Sequence, residues 1–154
     1  MSETREIPVV WIQTATCSGC SVSVLNSAAP KITDFLLREV IPGCHINLRF
    51  QATVMAGAGE AAIKILDTAA RGQPGSYVLV VEGSIPTKDG GVYGTLGEEP
   101  MVQRVVALAR KASAIIGLGT CAAFGGIFAA DPNPGGCISV RQLIEQHELR
   151  VPVI

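Results

Sequence analysis

Short apolar runs and amphipathic stretches alternate along the chain. Pro8-Val9-Val10-Trp11-Ile12 is β-branched and aromatic, too short for a helix and bounded by polar residues, which predicts a buried strand. Over 21–39 the apolar positions Val22, Val24, Leu25, Ile32, Phe35 and Leu36 form a rough stripe and predict one helix. After Pro42-Gly43, residues 45–53 alternate, with Ile46, Leu48, Phe50 and Ala52 on one side of a half-buried strand. A turn at Ala56-Gly57-Ala58-Gly59 leads into a short helix over 60–71, with Ala61, Ile65, Leu66 and Ala69 apolar. Tyr77-Val78-Leu79-Val80-Val81 is the cleanest buried strand. A Gly-rich segment without regular pattern (82–97) precedes a helix over 100–112 and a fourth strand over 113–119. A second Gly/Pro-rich loop over 120–136, a helix over 138–148 and the start of a fifth strand at 151–154 complete the chain.

Strand and helix alternate throughout, so the fold class is α/β: a flavodoxin-like doubly wound parallel sheet of about five strands. One domain spans 1–154. Ligands bind such sheets beyond the carboxyl ends of the strands. The long irregular loops follow strands one, three and four and share that edge. The chain stops on its fifth strand, before the next loop of that edge, and reads as a fragment of something longer.

Composition narrows the partners. Apolar residues make up 48 % of 154 positions and the formal net charge is −1, so no electrostatic footprint for nucleic acid or anionic membrane is present. No apolar run approaches the ~20 residues of a membrane helix. The opening MSETREIP has neither an apolar signal core nor a twin-arginine pair. Five cysteines are an odd number, and too sparse for a secreted disulfide scaffold. These features lead to the expectation of a reducing, cytoplasmic location, with any membrane association made through partners.

The chemistry gathers at Thr16-Cys17-Ser18-Gly19-Cys20-Ser21, a C-x-x-C where the first strand hands over to a helix. A helix N-terminus stabilises negative charge, so thiolates are expected there, either as metal ligands or as a redox dithiol. Cys121, in Gly117-Leu118-Gly119-Thr120-Cys121-Ala122-Ala123-Phe124-Gly125-Gly126, lies just past the fourth strand on the same edge. Three thiols from two parallel strands, with glycines beside one of them, suit an iron–sulfur cluster, which takes four thiolates and backbone N–H bonds to its sulfurs. Structural zinc is the rival, but it usually comes with paired C-x-x-C units and only one is present. Cys137, in Asn133-Pro134-Gly135-Gly136-Cys137, is a candidate fourth ligand or a packing residue. Cys44 sits at the opposite edge and reads as a small apolar residue.

Four segments together, ATCSGCSVSVLN (15–26), LVVEGSIPTKDGGVYG (79–94), GLGTCAAFGGI (117–127) and AADPNPGG (129–136), resemble the small, electron-transferring subunit of [NiFe] hydrogenases. The cluster-bearing subunit of respiratory complex I is a more distant relative, with adjacent cysteines in place of this C-x-x-C. The resemblance covers essentially the whole chain and implies the family's N-terminal flavodoxin-like domain. It implies a [4Fe-4S] cluster of the proximal type, with Cys17, Cys20 and Cys121 among its ligands. The fourth family ligand, a cysteine in a P-G-C-P-P-type turn, would follow Ile154. Cys137 stands where the family's NPTGA motif has a small residue. The implied partners are the hydrogenase large subunit, which carries out the H₂ chemistry, and a downstream electron acceptor or carrier subunit.

The remaining candidates are weaker. Glu82, ending the third strand, reads either as a solvated loop acid or as an acid that caps backbone N–H groups or meets a partner. Gly90, Gly91, Gly125 and Gly126 serve turn geometry or the wall of an interface. Gly57 and Gly59 only echo a phosphate loop and lack its third glycine. Met55 and Met101 read as packing, and His45 and His147 as non-ligands. The resulting function is electron relay in a hydrogenase; the alternative is a free-standing thioredoxin-like dithiol oxidoreductase cycling Cys17 and Cys20.

Overall fold

The structure is a computed structural model that describes residues 5–39, 42–73 and 75–154. In chain order its elements are β1 (Arg5–Gln13), α1 (Gly19–Leu25), α2 (Ile32–Leu37), β2 (Cys44–Gln51), α3 (Gly59–Ala70), β3 (Tyr77–Glu82), β4 (Ile85–Pro86), β5 (Thr95–Leu96) and β6 (Glu99–Pro100). They continue with α4 (Met101–Ala109), β7 (Ala112–Leu118), α5 (Gly119–Phe124), β8 (Cys137–Ile138) and α6 (Val140–Gln146). Four strands form one parallel sheet in the order β2-β1-β3-β7. The last residues lie beside β7, where Ile154 N–H donates to Ile115 O and Gly117 N–H donates to Ile154 O, both at 2.9 Å. The fifth strand is thus present as a parallel bridge, and the order of the βα units is that of a flavodoxin-like sheet.

Alternation along the strands divides the apolar residues between two faces. Val10, Ile12, Leu79, Val81 and Ile115 point to a core closed by Leu66 of α3 and by Val105 and Leu108 of α4, and all of these are essentially excluded from water. Tyr77 belongs to this core too; its hydroxyl donates to Leu108 O at 2.8 Å, and burial pushes its pKa well above the usual phenol value. The other face presents Val9, Trp11, Leu48, Val80 and Ile116 and is partly covered by α1 and α2, leaving an apolar groove of about 390 Å³.

Two sequence expectations are corrected here. Phe50 does not share a face with Ile46 and Leu48. The register with β1 slips, so Leu48 stands opposite Val9 but Phe50 stands opposite Val10, and Phe50 joins the core while its neighbours line the groove. One extra residue in a strand reverses the parity of everything after it. The long helix expected over 21–39 is two short ones, because Pro30 removes a backbone donor in the middle of the stripe. The Gly-rich loops also hold structure the pattern did not show, including the paired β4 and β8 and the six-residue α5.

Candidate metal centre

Glycines let the turns after β1 and β7 meet. Ser18 takes a left-handed conformation (φ 61°) just before α1, and Thr16 Oγ1 accepts Ser18 N–H at 3.0 Å, closing a tight turn around Cys17. Gly119 opens α5 at φ +82°, and a Cβ there would overlap Cys20 Sγ. A Cβ on Gly126 would lie 2.5 Å from Cys121 Sγ, and one on Gly19 would lie 3.1 Å from Cys17 Sγ. Each of the three sulfurs therefore rests against a backbone without a side chain, and Cys20 touches the turn that carries Cys121.

Their electrostatics agree with that convergence. The Cys20 thiol is pushed up from its ordinary value by burial first, then by the Glu82 carboxylate, Cys17 and Cys121. This corrects the expectation of a helix terminus favouring thiolate at Cys20. Burial comes first among the causes and disfavours the charged form, and α1 is only seven residues long. Bound cations invert such a balance, and a donor set of thiols is the one that soft metal centres take. Among the described residues, no three His, Cys, Asp or Glu side chains are grouped as ligands of a single metal ion.

Cys137 lies elsewhere. It is buried in β8 opposite Pro86, its N–H donates to Asn133 Oδ1 at 2.7 Å, and it is not among the groups acting on Cys20. Cys44 borders the apolar groove, and His45 Nε2 lies 3.0 Å from Leu36 O. Gly91 packs so closely on α4 that a Cβ would lie 2.6 Å from Val102 Cγ1, whereas Gly90 faces open space. Gly125 ends α5 in a left-handed conformation at φ +90°. Val92, Tyr93, Phe124 and Ile127 are exposed apolar side chains, and Tyr93 and Ile127 line one hollow with Ala15 of the first turn.

Glu82 is not a solvated loop acid; it caps a backbone N–H, that of Ser21, as its other sequence reading allowed. It is fully buried at the end of β3 and accepts Ser21 N–H at 3.1 Å, Ser21 Oγ at 2.5 Å and Trp11 Nε1 at 3.1 Å. Gln51 and Gln13 hold the Ser21 hydroxyl from the other side at 2.9 and 3.0 Å. Sequence reasoning passed over Trp11, Gln13, Ser21 and Gln51, whose polar atoms are brought together only by strand register.

The family model described as NADH ubiquinone oxidoreductase, 20 Kd subunit, matches residues 17–154, starting at the first cysteine of the C-x-x-C. The chain is 39 % identical over 144 residues to the periplasmic [NiFe] hydrogenase small subunit of Solidesulfovibrio fructosivorans, covering 94 % of this chain and 44 % of that one. It is 36 % identical over 137 residues to the hydrogenase-2 small chain of Escherichia coli strain K12, covering 89 % and 35 %. The crystal structure of a reduced, active form of the Ni-Fe-Se hydrogenase from Desulfomicrobium baculatum superposes with a TM-score of 0.86 at 36 % identity, covering 97 % of this chain and 55 % of that one. The chain thus spans less than half the length of these curated relatives. Three relatives are described as periplasmic, which overturns the cytoplasmic expectation; that expectation rested on the opening residues and on sparse cysteines, and thiols reserved for a metal centre need not form disulfides in any compartment. By its match over nearly its whole length, the chain belongs to the family of the NADH ubiquinone oxidoreductase 20 kDa subunit, and the relatives it resembles there are hydrogenase small subunits.

Proposed function

We propose that this chain is the cluster-bearing domain of a [NiFe] hydrogenase small subunit, relaying electrons between a large subunit and a downstream acceptor or carrier. The observation that carries the reading is the meeting of Cys20 with the Cys121 turn across the end of the sheet, with a glycine beside each of the three sulfurs. Cys17, Cys20 and Cys121 would hold a proximal-type [4Fe-4S] cluster, with the fourth thiolate supplied from beyond Ile154. When bound, such a cluster supplies one-electron transfer at a potential set by net charge, hydrogen bonds to its sulfurs and burial.

The chain's own residues provide the seat. Gly19, Gly119 and Gly126 keep side chains away from the sulfurs, and the pairing of β1, β3 and β7 fixes the spacing of the turns. The exposed Val92, Tyr93, Phe124 and Ile127 give the same edge an apolar rim, the composition of a surface covered in an obligate complex. The large subunit would dock there and perform the H₂ chemistry.

Iron content tests the reading. The complete protein, purified without air, is expected to carry about four irons and four sulfides at this site. Cys121→Ala is expected to lose them while Cys137→Ala keeps them. Full iron in Cys121→Ala would refute the ligand set.

A further inference from the structure

Glu82 is a buried carboxyl group held by hydrogen bonds. Its side chain is excluded from water, and among the described residues no Lys, Arg or His forms an ion pair with it. The hydrogen bonds its carboxylate accepts come instead from neutral donors. Oε2 accepts from Ser21 Oγ, Trp11 Nε1 and, at 3.4 Å, Gln13 Nε2; Oε1 accepts from Ser21 N–H and, at 3.4 Å, Thr16 Oγ1. A carboxylate is an acceptor-only group when ionised, and this ring of donors is what it takes. The donors compensate its desolvation but leave its net charge in place.

The position of that charge is specific. Two of the donors, Thr16 and Ser21, bracket Cys17 and Cys20 in sequence, so the carboxylate grips both ends of the turn that carries the first two thiols. Its own backbone is fixed as well, with Glu82 O accepting Thr14 N–H at 2.8 Å and Thr14 Oγ1 at 3.1 Å. A fixed negative charge in a low-dielectric site opposes the arrival of an electron beside it.

We propose that Glu82 is a positioning residue for the group held by Cys17, Cys20 and Cys121, tying their turn to β3 and lowering that group's reduction potential by its buried charge. This rests on the cluster reading above and adds a residue that is not a ligand.

The test is a redox titration of the iron-loaded complete protein followed by electron paramagnetic resonance, with iron per chain measured in parallel. Glu82→Gln keeps the size of the side chain and removes its charge; it is expected to favour the reduced form at least tenfold, about 59 mV for one electron. Trp11→Phe leaves the charge and removes a donor that offsets it, and is expected to move the potential the other way. Opposite signs from two variants of one network are not what loosened packing would produce. An iron-loaded Glu82→Gln with the parent potential would overturn the proposal. If Glu82→Gln fails to load iron, Trp11→Phe decides: a lower potential supports the charge, and a higher one overturns it. Absence of iron from the parent protein itself would sink the cluster reading instead, so the two failures are distinguishable.

Discussion

Gly83→Ala probes how the end of β3 is held against the first turn. Gly83 has φ +104°, a region closed to residues with a Cβ. An added Cβ would lie 2.6 Å from Ala15 O, 2.8 Å from Ala15 C and 2.9 Å from Thr14 Oγ1. Backbone on both sides leaves no flexible tip to give way. The strained conformation costs roughly 1–3 kcal/mol. Moving Ala15 aside also sacrifices the reciprocal bonds Ala15 N–H to Ser84 O at 3.0 Å and Ser84 N–H to Ala15 O at 2.9 Å, worth about 1 kcal/mol each. The sum is about 3–5 kcal/mol, a large part of the 5–15 kcal/mol, roughly, that holds a domain together. Gly90→Ala is the control, since Gly90 has φ +75° but nothing within 4 Å, so it loses only the conformational part, about 1–2 kcal/mol. Chemical denaturation of both variants in the same metal state gives the two losses. If Gly83→Ala destabilises no more than Gly90→Ala, the close approach of β3 to the first turn does not contribute as argued.

Two further outcomes follow from other parts of the fold. Arg104 is buried between Asp67 of α3, which it contacts through Nη1, and Glu99 of β6, 2.8 Å from Nε. Both acids are partly exposed, so Arg104→Met is expected to cost about 1–3 kcal/mol in denaturant titration, and a loss below about 0.5 kcal/mol would contradict the pairing. Phe124 and Ile127 are each 80 % exposed, so Phe124→Ser with Ile127→Ser is expected to leave the unfolding midpoint of this chain unchanged. The same double variant is expected to weaken co-purification with the large subunit proposed as its partner, and undiminished recovery of that complex would show that the proposed docking surface lies elsewhere.

The strands and the thiols were legible because their signals are local. Tyr77–Glu82 could be read from a run of β-branched residues, and the edge carrying Cys17, Cys20 and Cys121 followed from the alternation of elements. Phe50 was misassigned because a register slip depends on the neighbouring strand, which no periodicity within 45–53 contains. Glu82 was left open between a solvated acid and a cap for the same kind of reason. Its donors come from residues 61 to 71 positions away, and a Glu in a Gly-rich segment looks solvated until β1 is laid beside β3. The expected thiolate at Cys20 did not account for burial, which raises its pKa first and which a helix N-terminus read from sequence does not reveal.

The sheet order explains why the acid and the sulfurs occupy one place. β1 and β7 are not neighbours; β3 lies between them, so the turns that follow them begin about 10 Å apart. Thiols from those turns can share one group only by leaning inward over the carboxyl end of β3. The last residue of β3 is Glu82, paired with Gln13 on one side and Leu118 on the other, the residues from which the two turns depart. Whatever stands at that position lies between the strands from which the two turns depart. A short polar residue there could not reach Ser21 and Trp11 together, and a cation would lack acceptors among their donors. The donor ring makes sense for a carboxylate and little else, which places the negative charge at the centre of the edge by topology and keeps it there by hydrogen bonding.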